Sequence, residues 1–338
     1  MTAPKAQAYQ LELSADLHRW RAFLAVAELR SLTRASLFLD CNQPALSRQI
    51  NALERECGAR LFTRTGRGVE LSEVGQRVIA QVRALLAAAE QLEHDIRGEA
   101  REPSGRVTLG TLPSIGMPLT RPLFKRLREH FSGIRLKILE GSSGQVEEWL
   151  ADARVDIAIL YRYGVNLPEH ETSLAIVHSY LIGAHGDVLT SQPEVSLSAL
   201  DRLPFILPSA PNGLRNSLDA IARQHHISIE PEIEADSLPL MKSVVAEERL
   251  YTVLPLHAVA SEIKAGWLQA SKIVDPTVQR TVAMATSKSK GPGRAVSVVA
   301  AQIVEIVQEM GRNGLLHAFR TDGQAHGDRN AQNSSADT

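Results

Sequence analysis

The sequence predicts an α/β chain in two parts, an N-terminal winged helix-turn-helix with a long linker helix and a C-terminal portion of two α/β subdomains. Three observations predict it. Residues 16–58 hold three apolar runs at helical spacing, each opened by a capping residue; two short β runs around Thr65-Gly66-Arg67 follow; and from Arg106 onward short β-branched runs alternate with amphipathic stretches.

A chain of 338 residues exceeds one ordinary core. Its 44% apolar and 22% charged content is that of a globular protein rather than a disordered one. No apolar run approaches the roughly 18 residues of a membrane span, and MTAPKAQAYQLELS lacks the basic-then-apolar pattern of a signal peptide. No membrane association is expected, and a cytoplasmic location is. Cys41 and Cys57 stand too far apart for a CxxC pair and lack clustered histidines, so they read as two reduced thiols, with no metal and no cofactor. The net charge of −1 is uninformative, but Asp16 to Glu70 carry nine arginines and no lysine against six acidic residues, a net +3. Arginine's planar fork matches phosphates and guanine edges, which suits a nucleic-acid partner.

Residues 1–15 read as a polar leader. Asp16 then caps a helix to about Leu29, with Leu17, Trp20, Phe23, Leu24 and Ala27 on its inner face. Ser31 or Thr33 opens a short second helix with Ala35, Leu37, Phe38 and Leu39 as its apolar residues. Asp40, Cys41 and Asn42 form a turn; Asn42 caps a third helix in which Pro44 is tolerated in the first turn, Leu46, Ile50 and Leu53 face inward, and Gly58 stops the run. Asn42, Gln43, Ser47 and Arg48 lie off that buried stripe, at the end that enters a major groove in helix-turn-helix proteins. Taken alone, the three helices fit equally well a bundle with solvated polar residues. The hairpin of residues 61–71, with Arg64 and Arg67 near its tip, tips the reading towards a wing that touches the phosphate backbone or minor groove. Ser72 caps a fourth helix to about Arg97, whose Val74, Val78, Val82, Leu85, Ala89, Leu92 and Ile96 form a seam. The seam either packs on the downstream domain or makes a two-fold dimer, which would set two reading helices roughly 34–36 Å apart.

The runs Arg30-Ser31-Leu32-Thr33-Arg34-Ala35-Ser36, Asn42-Gln43-Pro44-Ala45-Leu46-Ser47-Arg48-Gln49-Ile50, Leu53-Glu54, Leu61-Phe62-Thr63-Arg64 and Leu71-Ser72-Glu73-Val74-Gly75 together resemble the N-terminal signature of LysR-type transcriptional regulators. The resemblance implies that Gln43, Pro44, Ser47 and Arg48 contact an operator, that Thr33 and Arg34 meet the backbone or nearby bases, and that Arg67 sits in the wing. Cys41-Asn42 departs from the family's commoner small residue and Ser, which bears on an Asn42 backbone contact, and Leu37 departs at a usual Ala-Glu-type position.

Residues 98–105 gather charge, Pro and Gly and read as a hinge. Beyond them, strands are expected at Val107 to Leu109, Ile134 to Leu139, Val155 to Leu160, Phe205 to Leu207, Ile229 to Ile233, Tyr251 to Leu254 and Thr281 to Met284. Helices are expected at Pro122 to His130, Val146 to Ala153, Leu214 to Gln224, Leu240 to Glu247 and Val296 to Met310. Such alternation implies a largely parallel sheet covered on both faces. Ligands in open α/β sheets bind beyond the strands' carboxyl ends, where helix N-termini favour anions. Ser114 follows one such strand and Ser142-Ser143 another, a pairing able to select a small acid without a dedicated arginine; singly, each serine reads as a cap of its own helix. Tyr161, Arg162 and Tyr163 end the third strand, and Tyr161 either lines a pocket or shields the sheet edge.

Two further stretches, EGSSGQVEEWLADARVDIAIL and LPFILPSAPNGLR, are similar to the same family, the second to its nitrogen assimilation control branch. The resemblance implies an effector domain over 106–312 like periplasmic solute-binding proteins, with subdomain 1 at 106–183 and 284–312 and subdomain 2 at 184–283. It places Ser114, Ser143 and Asn212 in the cleft, and Ser142 and Tyr161 join them as candidates. It also implies double-stranded DNA and a small effector as partners, a homodimer through the linker helix, a homotetramer of two dimers, and RNA polymerase as a further candidate partner. Residues 313–338 read as a disordered tail. An enzyme fused to a DNA-binding domain is a competing reading, but no GxSxG, Walker, dinucleotide or HExxH motif is present and His225-His226 reads as surface. A ligand-independent architectural protein is another, against which stands the large α/β portion.

Overall fold

The computed structural model describes residues 16–65, 68–96, 103–163, 167–168, 171–287 and 293–318. The expected leader, the wing tip with Arg67, most of the hinge and residues 319–338 lie outside the described residues.

The N-terminal unit is α1 (Leu17–Leu29), α2 (Leu32–Phe38), α3 (Gln43–Glu56), the antiparallel hairpin β1 (Phe62–Thr65) and β2 (Gly68–Leu71), and α4 (Glu73–Ile96). Local chemistry sets each boundary. Asp16 accepts from the His18 N–H, Ser31 from Arg34 and Asn42 from Ala45, so every helix opens on a side-chain cap. Ser72 does the same for α4, where its hydroxyl accepts from Gly75 N at 3.0 Å and donates to the Arg60 carbonyl at 2.6 Å. The core gathers Trp20, Phe23 and Val26 of α1, Leu46, Ile50 and Leu53 of α3, Leu61, and Ile79, Val82 and Leu86 of α4. Two expectations change here. On α2 the buried pair is Ala35 and Ser36, while Leu37 and Phe38 are exposed, because seven residues offer only one inward face. The α4 seam is divided: Val74, Val78 and Val82 pack on the winged core, which supplies the partner a lone helix lacks, and Leu85 and Leu92 remain 47% and 59% exposed.

Glu54 joins α3 to the hairpin. It is 7% exposed, one carboxylate oxygen accepts from Leu61 N (2.8 Å) and Phe62 N (3.1 Å), and the other pairs with Arg60 at 2.9 Å. Removing it strands two backbone donors. Glu54→Ala is expected to lower stability by about 2–4 kcal/mol in urea unfolding, with Glu54→Gln recovering most of it. A loss for the Ala variant below about 1 kcal/mol would show that the hairpin is held elsewhere.

The C-terminal portion comprises β3 (Gly105–Thr111), α5 (Pro113–His130), β4 (Ile134–Glu140), α6 (Ser143–Ala151), β5 (Ile157–Arg162), β6 (Glu171–Ala184), β7 (Glu194–Ser196), β8 (Phe205–Leu207), α7 (Gly213–Gln224), β9 (Pro231–Glu234), α8 (Leu238–Glu248), β10 (Thr252–Pro255), α9 (Ala260–Lys264), β11 (Leu268–Val274), β12 (Gln279–Thr286), α10 (Arg294–Arg312) and β13 (His317–Ala318). The main sheet runs β4-β3-β5-β12-β6-β11-β7, with β10 and β13 also on β6. It is mixed, not largely parallel: β3 pairs parallel with β4 and β5, but β12 is antiparallel to both β5 and β6, and β6 is antiparallel to β10, β11 and β13. The long β6 causes the difference. Its first half pairs with β12 and its second half, from Ser179, with β10 and β11, so it belongs to two cores. One core packs α5 and α10 on β3, β5 and β12; the others pack α7 and α8 against β8, β10 and the far half of β6.

Helix α5 starts nine residues before the expected Pro122 and passes through Pro118 and Pro122. Each interior proline costs about 3 kcal/mol, but Ile115, Leu119, Leu123 and Leu127 recur every fourth residue and are all buried. Burying one such side chain contributes about 1.5–3 kcal/mol, so the packed face outweighs the broken hydrogen bonds. Residues 313–318, expected in the disordered tail, belong to the fold instead: Leu316 is buried and β13 pairs with β6. Among the described residues no helix is long and apolar enough to cross a membrane.

Candidate nucleic-acid interface and ligand cleft

The first turn of α3 and the start of α2 form one polar surface. Thr33, Arg34, Asn42, Gln43, Pro44 and Arg48 are exposed, Ser47 is half-buried, and Arg64 is exposed on β1. The Thr33 hydroxyl donates to Gln43 Oε1 at 3.2 Å, which ties α2 to α3 and leaves the Gln43 amide N–H groups outward. Asn42 uses Oδ1 on Ala45 N at 2.8 Å, which leaves its amide N–H groups for a partner. The buried stripe of Leu46, Ile50 and Leu53 holds α3 with this face to solvent. Arg19 is engaged in ion pairs with Asp16 and Glu56 and is not part of the surface.

A cleft of about 780 Å³ opens at the ends of β3, β4 and β5 and is closed from the other side by the N-termini of α7 and α8. All five cleft candidates line it, in two different roles. Ser142 is a capping-box residue, its hydroxyl accepting from Gln145 N, and Asn212 caps α7 by accepting from Leu214 N and Arg215 N. Ser114 makes no cap; its hydroxyl lies 3.0 Å from Tyr161 Oη, which lies 2.9 Å from His257 Nε2. Among the described residues the Ser143 hydroxyl forms no hydrogen bond with protein. The two sides approach closely: a Cβ added at Gly213, the first residue of α7, would lie 3.0 Å from the Tyr163 ring and 3.6 Å from Ser143 Oγ.

Two families match the chain. Residues 17–76 match the bacterial regulatory helix-turn-helix proteins of the lysR family, and residues 100–308 match the LysR substrate binding domain. The chain belongs to the LysR family. As such it is a DNA-binding transcriptional regulator with an effector-binding domain, and the enzyme reading falls away. It is 26% identical over 272 residues to the nitrogen assimilation regulatory protein nac of Escherichia coli (strain K12), covering 80% of this chain and 88% of the relative. In fold it is similar to a full-length OxyR variant from Pseudomonas aeruginosa, with a TM-score of 0.69, 22% identity, and 86% and 95% of the two chains covered. It is likewise similar to full-length CbnR complexed with its target DNA, with a TM-score of 0.59, 18% identity, and 87% and 99% covered.

In this LysR-family regulator the cleft holds a cation that sequence reasoning missed. Arg162, which ends the third expected strand, pairs with Glu147 and Glu171 and does not line the cleft. Arg280 of β12 does. It is 4% exposed, its guanidinium lies 4.5 Å from the Tyr161 ring and 5.8 Å from the Tyr163 ring, and it donates to Ser179 Oγ at 3.3 Å. A cation over an aromatic ring gains about 0.5–2 kcal/mol, whereas the effective penalty for taking an ion out of water is several. Burial raises Tyr161 to about 12 and also raises Tyr163, despite the pull of Arg280 the other way; burial, with Arg280 adding, lowers His257 to about 3. At neutral pH these neighbours are uncharged. No sequence pattern points to Arg280; the antiparallel pairing of β12 with β5, which sets Thr281 beside Arg162, carries it to the cleft. His225 and His226 are exposed at the end of α7, and among the described residues no cluster suited to a metal occurs.

Proposed function

We propose that this regulator binds double-stranded DNA as a two-fold dimer, assembling further to a tetramer, and that a small carboxylate or nitrogen metabolite in the cleft sets its state. Thr33, Arg34, Asn42, Gln43, Pro44, Ser47, Arg48, Arg64 and Arg67 are the proposed DNA contacts, and Ser114, Ser142, Ser143, Tyr161 and Asn212 the proposed effector contacts. The observation that carries the reading is the joint exposure of Gln43, Pro44 and Arg48 on the first turns of a helix whose opposite face is fully buried. Such a face suits a major groove, with Gln reading adenine and Arg reading guanine. Exposed Leu85 and Leu92 on α4 support dimerisation through that helix, which offsets the modest +3 charge by raising effective concentration. The proposed division follows the same elements: winged unit to residue 71, linker helix to 97, effector domain from 106 to 312. RNA polymerase is the partner proposed for the transcriptional output.

An effector acts only through unequal affinity for two states, about 5.5 kcal/mol for a complete switch. Footprinting across a binding site is expected to show two protected half-sites about one helical turn, or a multiple of it, apart, with the outer protection changing as effector is added. A single unpaired half-site would overturn the dimer, and a footprint indifferent to every cleft ligand would make the regulator effector-independent.

A further inference from the structure

We infer that Arg280 is the anion anchor of the cleft, so that the effector presents a carboxylate to a buried guanidinium on the strand β12. The inference rests on the proposed effector site and names its chemistry. Helix N-termini favour an acid only weakly and hydroxyls not at all, whereas an unpaired cation at the floor discriminates strongly by charge.

Four observations lead there. Arg280 is almost wholly buried yet lines the cleft, so its open side faces the cavity and not bulk water. Among the described residues its Nε has no hydrogen-bond partner and no carboxylate pairs with it; the side chain meets the Ser179 hydroxyl and the neutral Tyr161 and Tyr163, through their rings and by side-chain hydrogen bonds. The cleft's own carboxylates do not serve: Glu140 is exposed, and Asp236 accepts from Ser209 N at 3.0 Å. The groups packed around it from β5, β6 and the turn at His257 are tyrosines, a serine and a histidine held neutral by burial. A buried charge lacking a counter-ion is unfavourable until one arrives, and the guanidinium fork matches a planar carboxylate through two parallel N–H donors. The position also has consequences for selectivity. Arg280 pairs with Val177 of β6 and reaches Ser179 of the same strand, so the acid would sit on the two strands shared between the subdomains, with the rest of the molecule extending towards Ser114 and Ser143.

The test uses the full chain with sodium acetate as probe, acetamide as its neutral isostere, and sodium chloride to hold ionic strength constant. Acetate is expected to raise the thermal midpoint of the wild type by about 2 °C or more, with acetamide giving no shift. Arg280→Met is expected to melt no lower than the wild type in chloride and to ignore acetate. Arg280→Lys keeps the charge without the fork and is expected to respond weakly. Equal effects of acetate and acetamide on the wild type, or an undiminished acetate response in Arg280→Met, would overturn the assignment. The wild-type comparison needs no variant and stands even if Arg280→Met fails to fold. DNA binding measured on the same wild-type preparation separates the two readings: its absence would strike the regulator, whereas intact DNA binding with no acetate preference would strike only the anchor.

Discussion

Gly75→Ala is expected to destabilise the winged unit by about 1.5–4.5 kcal/mol. Gly75 lies in the first turn of α4, and a Cβ there would fall 2.2 Å from the Leu61 carbonyl oxygen and 2.9 Å from Leu71 Cδ2. A leucine methyl can turn away, but the carbonyl cannot. It accepts from Ser72 N at 2.9 Å, while Leu61 N donates to the buried Glu54, so the residue is fixed from both sides. The first turn of α4 must therefore lift from the hairpin, breaking the Ser72 bond and opening the packing of Leu61. Overpacking alone costs about 1–3 kcal/mol, and the lost hydrogen bond adds roughly 0.5–1.5. Chemical denaturation of the variant is the measurement. A loss below about 1 kcal/mol would mean that the hairpin follows α4 outward without strain.

Arg48→Ala is expected to weaken binding to a two-half-site operator by about 30-fold or more and to relax base choice at one position in each half. Arg48 is exposed on α3, one turn after Pro44, and belongs to no ion pair among the described residues, so its fork is free to meet a guanine edge. A bidentate arginine contributes about 1–3 kcal/mol of discrimination per base pair, and a dimer applies it twice, about 2–6 kcal/mol in total. The comparison is between cognate and base-substituted operators at fixed salt. If Arg48 instead touches phosphate, the variant loses affinity equally on all sequences and the salt dependence flattens by about one counter-ion per half-site. That uniform loss would remove Arg48 from the proposed base-reading set.

The winged unit was legible because its information is local. Asp16, Ser31, Asn42 and Ser72 each stand immediately before a helix and each does cap it. The nature of the sheet was not. Burial in Glu171–Ala184 alternates from Ala175 to Leu181, but the residue types do not follow it: Ser179 is buried while Ile176 and Tyr180 are half-buried, so no apolar–polar period shows in the sequence. The cleft fell between these cases. Serines and Asn212 at helix starts were visible in sequence, but whether each is a cap or an open hydroxyl depends on neighbours elsewhere: Ser142 and Asn212 cap, while Ser114 meets Tyr161, 47 positions away. Arg280 had no sequence signal at all, because its meaning comes from Tyr161 and Ser179, both about a hundred residues distant.

The divided face of α4 bears on how such a regulator reads its own abundance. Ile79, Val82 and Leu86 close the core of the winged unit within one polypeptide, leaving Leu85 and Leu92 outside it. A single copy can therefore complete its reading head before it meets another. Under the proposed pairing through the outer residues, a second copy governs occupancy and not folding, and the fraction of sites filled rises with the square of subunit concentration wherever single copies predominate. The gene-control threshold of such a dimer would be set by how much protein the cell makes, through two leucines that the reading head can do without.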